Sequence, residues 1–214
     1  MYIDILVACD YYNYFIVNEV IIIVKLTNIT IITTGYPFRG KIPEKSGGGV
    51  GVVQMKDVSS ENGICWSSVV ETELTGKKQP DWLMKGDVLF AARGSRNYAV
   101  MIDQDKEQIV AAPHFYILRV KTQMLLPEFL VWQLNQKPLQ NYFNSAAEGT
   151  LTKSVRRSIL EKTEITVLPI EKQRQILGLH ETLLREKKLY AELIGNADKL
   201  LSAIASDLVA DKTL

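Results

Sequence analysis

Leu83-Met-Lys-Gly-Asp-Val-Leu-Phe-Ala-Ala-Arg-Gly94 joins a turn, an apolar run and a cationic end. Lys85, Gly86 and Asp87 are turn residues. Val88 to Ala92 is an uninterrupted apolar run of strand length, which predicts a buried strand. Arg93, Gly94, Ser95, Arg96 and Asn97 then make a polar, cationic tip, and Tyr98 to Ile102 reads as the returning strand. A rigid strand thus carries two arginines to one place, as scaffolds carry binding loops. Taken alone, the segment reads as a hairpin with solvated arginines. Its weight comes from the segments around it.

The chain has 214 residues and a formal net charge of +1. That length makes one large domain, or a domain with an appendage, and suffices for a substantial core. A near-neutral balance argues against a protein that coats nucleic acid non-specifically, so any nucleic-acid surface must be local. Cys9 and Cys65 have neither CxxC spacing nor paired histidines. No metal site is expected from them, and a reducing, cytoplasmic location is. Residues 1–24 are apolar and aromatic but include Asp4, Asp10 and Glu19. Their longest apolar stretch, Val20 to Val24, is too short to span a bilayer, and no signal-peptide pattern opens the chain. They read as a strand-like N-terminal extension on the domain edge.

Lys25 to Thr34, rich in Ile and Thr, reads as a strand. Gly35-Tyr-Pro-Phe-Arg-Gly40 with Lys41 nearly matches the phosphate-binding loop G-x-x-x-x-G-K. Ile42 stands where Ser or Thr should ligate magnesium, and Pro43 stops a helix from opening, so that reading fails. Lys45-Ser-Gly-Gly-Gly-Val-Gly51 lacks dinucleotide-loop spacing and is expected to be a mobile connector. Strands are expected at Val50–Asp57, Trp66–Leu74, Gln108–Pro113, Phe115–Val120 and Thr163–Leu168. Ser59–Cys65 reads as loop, and Trp82 is expected to pack beneath a charged turn at Thr75–Pro80. His114 has no nucleophile or second histidine near it in sequence and reads as structural. Pro127 to Asn135 predicts a helix with Phe129, Leu130 and Leu134 on one side. Leu139 to Phe143 predicts a second. Ser145 to Thr152 is a small-residue loop, after which Lys153, Arg156 and Arg157 crowd three cations into a short span. That span is either a solvated basic face or a phosphate contact.

Past Pro169 the pattern changes to one long helix, from about Glu171 to Ala210. Ile176, Leu183, Tyr190, Ala197 and Ile204 recur every seven residues, with Leu179, Leu193 and Leu200 three later and Ile194, Leu201 and Leu208 four later. This heptad seam, weakened locally by Glu186, predicts coiled-coil pairing with a partner helix. The fold class that follows is α+β: a β-rich domain with a few short helices over 25–169, then a long coiled-coil-type helix over 170–214. No methyltransferase tetrapeptide of the Asn-Pro-Pro-Tyr kind occurs, and no Ser/His/Asp or Cys/His arrangement is evident. The one acid-x-lysine match, Glu186-Lys187-Lys188, falls on the long helix. The chain reads as a recognition module without a catalyst of its own.

Seven segments, in order, are Gly35–Gly40, Gln54-Met-Lys-Asp-Val58, Leu83–Gly94, His114-Phe-Tyr-Ile-Leu-Arg119, Pro127–Asn135, Gly149-Thr150 and Ile165–Ile176. In this order and spacing they resemble the DNA-specificity subunit of type I restriction-modification systems, over roughly residues 25 to 212. The resemblance makes Gly35–Gly40 the entry to a target-recognition domain, with Phe38 as a core residue. It implies double-stranded DNA as ligand, with modification and restriction subunits as partners. It also implies a non-catalytic role, with S-adenosylmethionine, ATP and magnesium confined to those partners. Subunits of the family carry two recognition domains and two long helices, whereas this sequence has one of each. The expected consequence is pairing of two copies through Ile176, Leu183, Tyr190, Leu193, Ala197, Leu200 and Ile204, or pairing with a different half-length chain.

Loop position and chemistry, apart from the resemblance, nominate the DNA contacts. Arg93, Ser95, Arg96, Asn97 and Tyr98 form the first group, because Arg and Asn suit bidentate contact with guanine and adenine edges. Gly149, Thr150, Lys153, Arg156 and Arg157 form a second, mainly for phosphate. Lys45 and Ser46 form a third. The rival readings are a coiled-coil adaptor that binds only protein, a silent or truncated specificity cassette, and an RNA-binding module, which lacks an aromatic stacking motif of the RNP type.

Overall fold

The computed structural model describes residues 21–210 except 46, 75, 77, 95–96 and 148–153, and the side chains of 208–210 also fall outside it. Most of the expected N-terminal extension therefore lies outside the described residues. Two compact units are present, one reaching Gln173 and one starting at Arg174.

The apolar run of the opening stretch forms β7 (Val88–Ala91), and all four of its residues are buried. It lies inside an antiparallel four-stranded sheet ordered β2 (Thr30–Thr34), β10 (Phe115–Val120), β7, β8 (Ala99–Met101). Successive side chains leave a strand on opposite faces. Leu89 and Ala91 enter the main core, together with Val52, Val53 and Val110 of a second sheet. That second sheet is ordered β6 (Val70–Thr72), β3 (Val50–Val53), β9 (Ile109–Ala111). On the other face, Phe90 meets Phe143 edge-on, with ring centroids 4.9 Å apart. Phe143 belongs to α3 (Lys137–Ala146), which follows α2 (Pro127–Leu134). β7 shows no polar alternation because both of its faces are covered.

The turn before this strand is built by Asp87. Its carboxylate accepts the Met84 N–H at 2.9 Å, while Gly86 supplies a φ of +90°, which glycine adopts without steric penalty. The same device stands before β4 (Val58–Ser59), where Asp57 accepts the Gln54 N–H at 2.8 Å. Both aspartates are buried and both are paired. Ser68 donates to Asp57 at 2.8 Å. Arg119 grips Asp87 with Nε at 2.8 Å and Nη2 at 2.7 Å. Those bonds push the Arg119 guanidinium still further up from its ordinary range.

Two amide side chains complete the backbone pairing of strands. Asn135, just after α2, accepts the Ala99 N–H and donates to the Ala99 carbonyl, both at 2.8 Å. Gln133 does the same to Thr166, accepting at 3.0 Å and donating at 2.6 Å. Thr166 lies in β11 (Glu164–Val167), which pairs antiparallel with β1 (Ile22–Lys25). Gln173 is fully buried. It binds the Leu126 N–H and the carbonyls of Met124 and Leu168, fixing the first turn of the last helix within the domain.

Several expectations are corrected. Lys25–Thr34 is not one strand, since a single helical turn, α1 (Leu26–Ile29), separates β1 from β2. Its cause is burial: Leu26 and Ile29 both point inward, which consecutive strand geometry cannot arrange. Ser59–Cys65 contains the return of a small hairpin, β4 with β5 (Gly63–Ile64). Trp66–Leu74 begins as a 3-10 turn at Trp66–Ser68 and only then becomes β6. Trp82 is 39% exposed rather than packed beneath a turn. The glycine-rich stretch after Lys45 is tied to β6: the Lys45 N–H donates to the Glu71 carbonyl, and a Cβ on Gly48 would stand 2.6 Å from the Thr72 backbone. Those glycines allow close approach of two backbones, which glycine loops also provide.

The last helix, α5 (Ile170–Ala210), extends through the second unit. Within it, Leu183, Tyr190, Leu193, Leu200 and Ile204 of the heptad seam are exposed, as is Ala197, and Ile176 is half-buried. No helix among the described residues is long and apolar enough to cross a membrane.

Candidate nucleic-acid interface

β7 and β8 form a hairpin with Phe90 opposite Ala99, and its tip begins at Ala92. Three segments converge at the base of that tip. The Ala92 N–H donates to the His114 carbonyl at 3.0 Å, and the Ala92 carbonyl accepts the Val155 N–H at 2.9 Å. Arg93 and Ser154 form an antiparallel bridge. Arg93 of the first candidate group is thereby held beside Ser154, two residues before Arg156 of the second, although the two lie far apart in sequence. Local pattern gave no signal of this, because it depends on one bridge between two loops.

Arg93 is exposed at the end of a fully buried strand. Ser95 and Arg96 lie outside the described residues, as do Gly149, Thr150, Lys153 and Ser46. Asn97 is buried, and its Nδ2 donates to the Ala91 carbonyl at 2.9 Å. That bond closes the hairpin, so the expected base contact gives way to a positioning role. Tyr98 also turns inward: its ring packs on the core and its hydroxyl donates to the Val58 carbonyl at 3.2 Å. Burial pushes its phenol up from the ordinary range. Among the described residues there, Asn97 and Tyr98 turn inward on local partners and Arg93 faces outward.

Arg156 precedes and Arg157 opens a short helix that the sequence reading missed, α4 (Arg157–Lys162). Arg157 Nε lies 2.7 Å from Glu161 Oε1 one turn along, an exposed ion pair. Arg156 is exposed and has an interaction of its own. Lys45 pairs with Glu73 on the surface. Pairs this exposed are worth little and exchange readily for another anion.

Beside the tip lies a cleft of about 520 Å³ in which Lys41, Lys56 and His114 join Arg93. Sequence reasoning treated these three only as part of a failed phosphate loop, a residue of an expected strand and a structural histidine. No spacing rule links them, since they come together through strand order. Among the described residues no cluster of His, Cys, Asp and Glu could hold a metal. The arrangement offers cations and apolar surface, and its chemistry is that of contact.

Comparison with known proteins gives a consistent result. A family profile described as the type I restriction modification DNA specificity domain matches residues 13–193. A search of curated protein sequences finds no match. The fold is similar to the HsdS subunit from Thermoanaerobacter tengcongensis, with a TM-score of 0.59 at 21% identity, over 84% of this chain and 46% of that one. A chain from a structural study of assembly and conformational transition in the type I R-M system gives a TM-score of 0.62 at 21% identity, with the same coverage. The type I S subunit from M. genitalium gives 0.51 at 16% identity, over 79% of this chain and 40% of that one. The chain thus spans less than half the length of these structures.

Proposed function

The chain belongs to the type I restriction-modification DNA specificity family, and from that premise we propose that it is a half-length specificity subunit that reads one part of a DNA target. The observation that carries the reading is the convergence of the Arg93 tip with the loop ending at Ser154–Arg157. Arg93 and Arg96 read base edges in the major groove, with Asn97 and Tyr98 setting the shape of the tip. Ser95 assists them. Gly149, Thr150, Lys153, Arg156 and Arg157 fix register on phosphates, as do Lys45 and Ser46 at the margin.

The subunit carries no catalysis. A modification subunit methylates with S-adenosylmethionine, and a restriction subunit supplies ATP- and magnesium-dependent cleavage, in the cytoplasm. A single unit reads only one half-site. Two copies pair through Ile176, Leu183, Tyr190, Leu193, Ala197, Leu200 and Ile204, and two-fold symmetry then dictates an interrupted palindrome as target.

The test is a methylome. The chain is co-expressed with a type I modification subunit encoded beside it in a methylation-free host, and methyladenine is mapped by single-molecule sequencing. An interrupted palindrome is expected. Arg93→Ala with Arg96→Ala erases the motif without changing the fold. Absence of any motif from the unmutated chain would sink the reading, and an asymmetric bipartite motif would replace self-pairing with a second, different half.

A further inference from the structure

The cleft beside the tip has a composition that the reading above does not use. Its rim carries Lys41, Lys56, Arg93 and His114, and no carboxylate among the described residues lines it. Its floor is apolar, made by Phe38, Ile42 and Met55, which also pack on the core. Glu44 lies 3.5 Å from Lys56, in a pair whose two side chains are both more than half exposed.

A chain with net charge +1 has almost as many acids as bases, so a cleft whose described ionisable side chains are all basic is a local accumulation. Lys41, Lys56, Arg93 and His114 are all exposed, and the first three ride on flexible stems, unlike the buried, fixed donors that hold a small anion. Spaced cations around an open apolar floor suit a polyanion whose charges alternate with apolar units. The sugar-phosphate backbone is such a ligand, with deoxyribose against the floor and phosphates on the rim.

We propose that this cleft seats the DNA backbone next to the bases read by the tip, with Lys41 and Lys56 each neutralising a phosphate. The inference rests on the DNA-recognition reading and adds to it a contact that is blind to sequence. Arg93 stands at the boundary, shared by the cleft and the tip. Lys56 exchanges Glu44 for phosphate on binding, since an exposed pair offers little resistance.

The test measures binding of the full chain to a fluorescein-labelled duplex of random sequence, by anisotropy across a salt series. Counterion release gives a slope of about 0.9 in log K against log salt for each phosphate contact, so Lys41→Gln with Lys56→Gln should flatten the slope by about 1.8. The loss should be the same on random duplex and on the methylated motif. Lys85→Gln with Lys137→Gln removes equal charge outside the cleft and should leave the slope unchanged. Circular dichroism confirms that each variant folds. An unchanged slope in the cleft variant, with the unmutated chain binding normally, overturns the cleft assignment and leaves the recognition reading intact. An equal loss in the control variant reduces the effect to net charge and also overturns it. Failure of the unmutated chain to bind in a salt-dependent way removes both the recognition reading and the cleft.

Discussion

Asp87 shows how much one side chain can settle. It is 2% exposed, closes the turn before β7 and takes both nitrogens of the Arg119 fork. Asp87→Ala removes the turn bond and leaves a guanidinium facing the cavity. Removing one member of a buried pair costs about 3–5 kcal/mol, and Arg119 is partly open to water, so the lower end applies. The expected result is a fall of about 3 kcal/mol in urea unfolding, with Asp87→Asn losing less because it retains an acceptor. A loss below about 1 kcal/mol would show that the turn holds by other means. Asn97 teaches a related point. Its residue type suits an adenine edge, yet its carboxamide is spent inside the hairpin. Side-chain chemistry nominates contacts, and only burial decides which are free to be made.

At the scale of elements, α2 does more than bury an apolar side. Asn135 and Gln133 each pair with a backbone residue on a different strand, Ala99 in β8 and Thr166 in β11. Asn135→Ala strands both groups of a fully buried residue and should cost about 3 kcal/mol. Gln133→Leu strands a half-buried pair and should cost about 2 kcal/mol. Because the two amides serve different strands, the double variant should lose roughly the sum in thermal or urea melts; a much smaller loss would show that the strands find other partners. The helix itself was legible in the sequence from Pro127 and the spacing of Phe129, Leu130 and Leu134. The amide clasps were not, because a glutamine near a helix end gives no sign of which distant strand it meets. For the same reason α1 was hidden: a single turn between two strands has too few residues for periodicity to register. β7 and α5 were read within a few residues, since a buried run and a long heptad are signals carried by the chain alone.

For the whole molecule, two units require two kinds of argument. The domain ending at Gln173 has a core closed by its own strands, whereas α5 beyond it presents Leu183, Tyr190, Leu193, Leu200 and Ile204 to solvent. If that seam pairs two copies, Leu193→Glu with Leu200→Glu should convert the full chain from dimer to monomer in sedimentation, with helix content near that of the isolated chain and the interrupted palindrome gone from the methylome. A monomeric unmutated chain would count against self-pairing. The fold class, a β-rich domain followed by a long helix, could be anticipated, because periodicity switches at Pro169. The juxtaposition of Arg93 with Ser154 could not, since it is a product of topology.

In the β1–β11 pair, Ile22 lies opposite Val167 and Lys25 opposite Glu164, so the first and last strands among the described residues are laced together. A domain whose ends meet can be cut out and replaced without stretching its neighbours. Recombination with breakpoints ahead of Ile22 and after Gln173 would move the domain, its first and last strands already paired, onto another gene's helix. Specificity could then change in one genetic exchange while the apparatus that acts on it stays as it was.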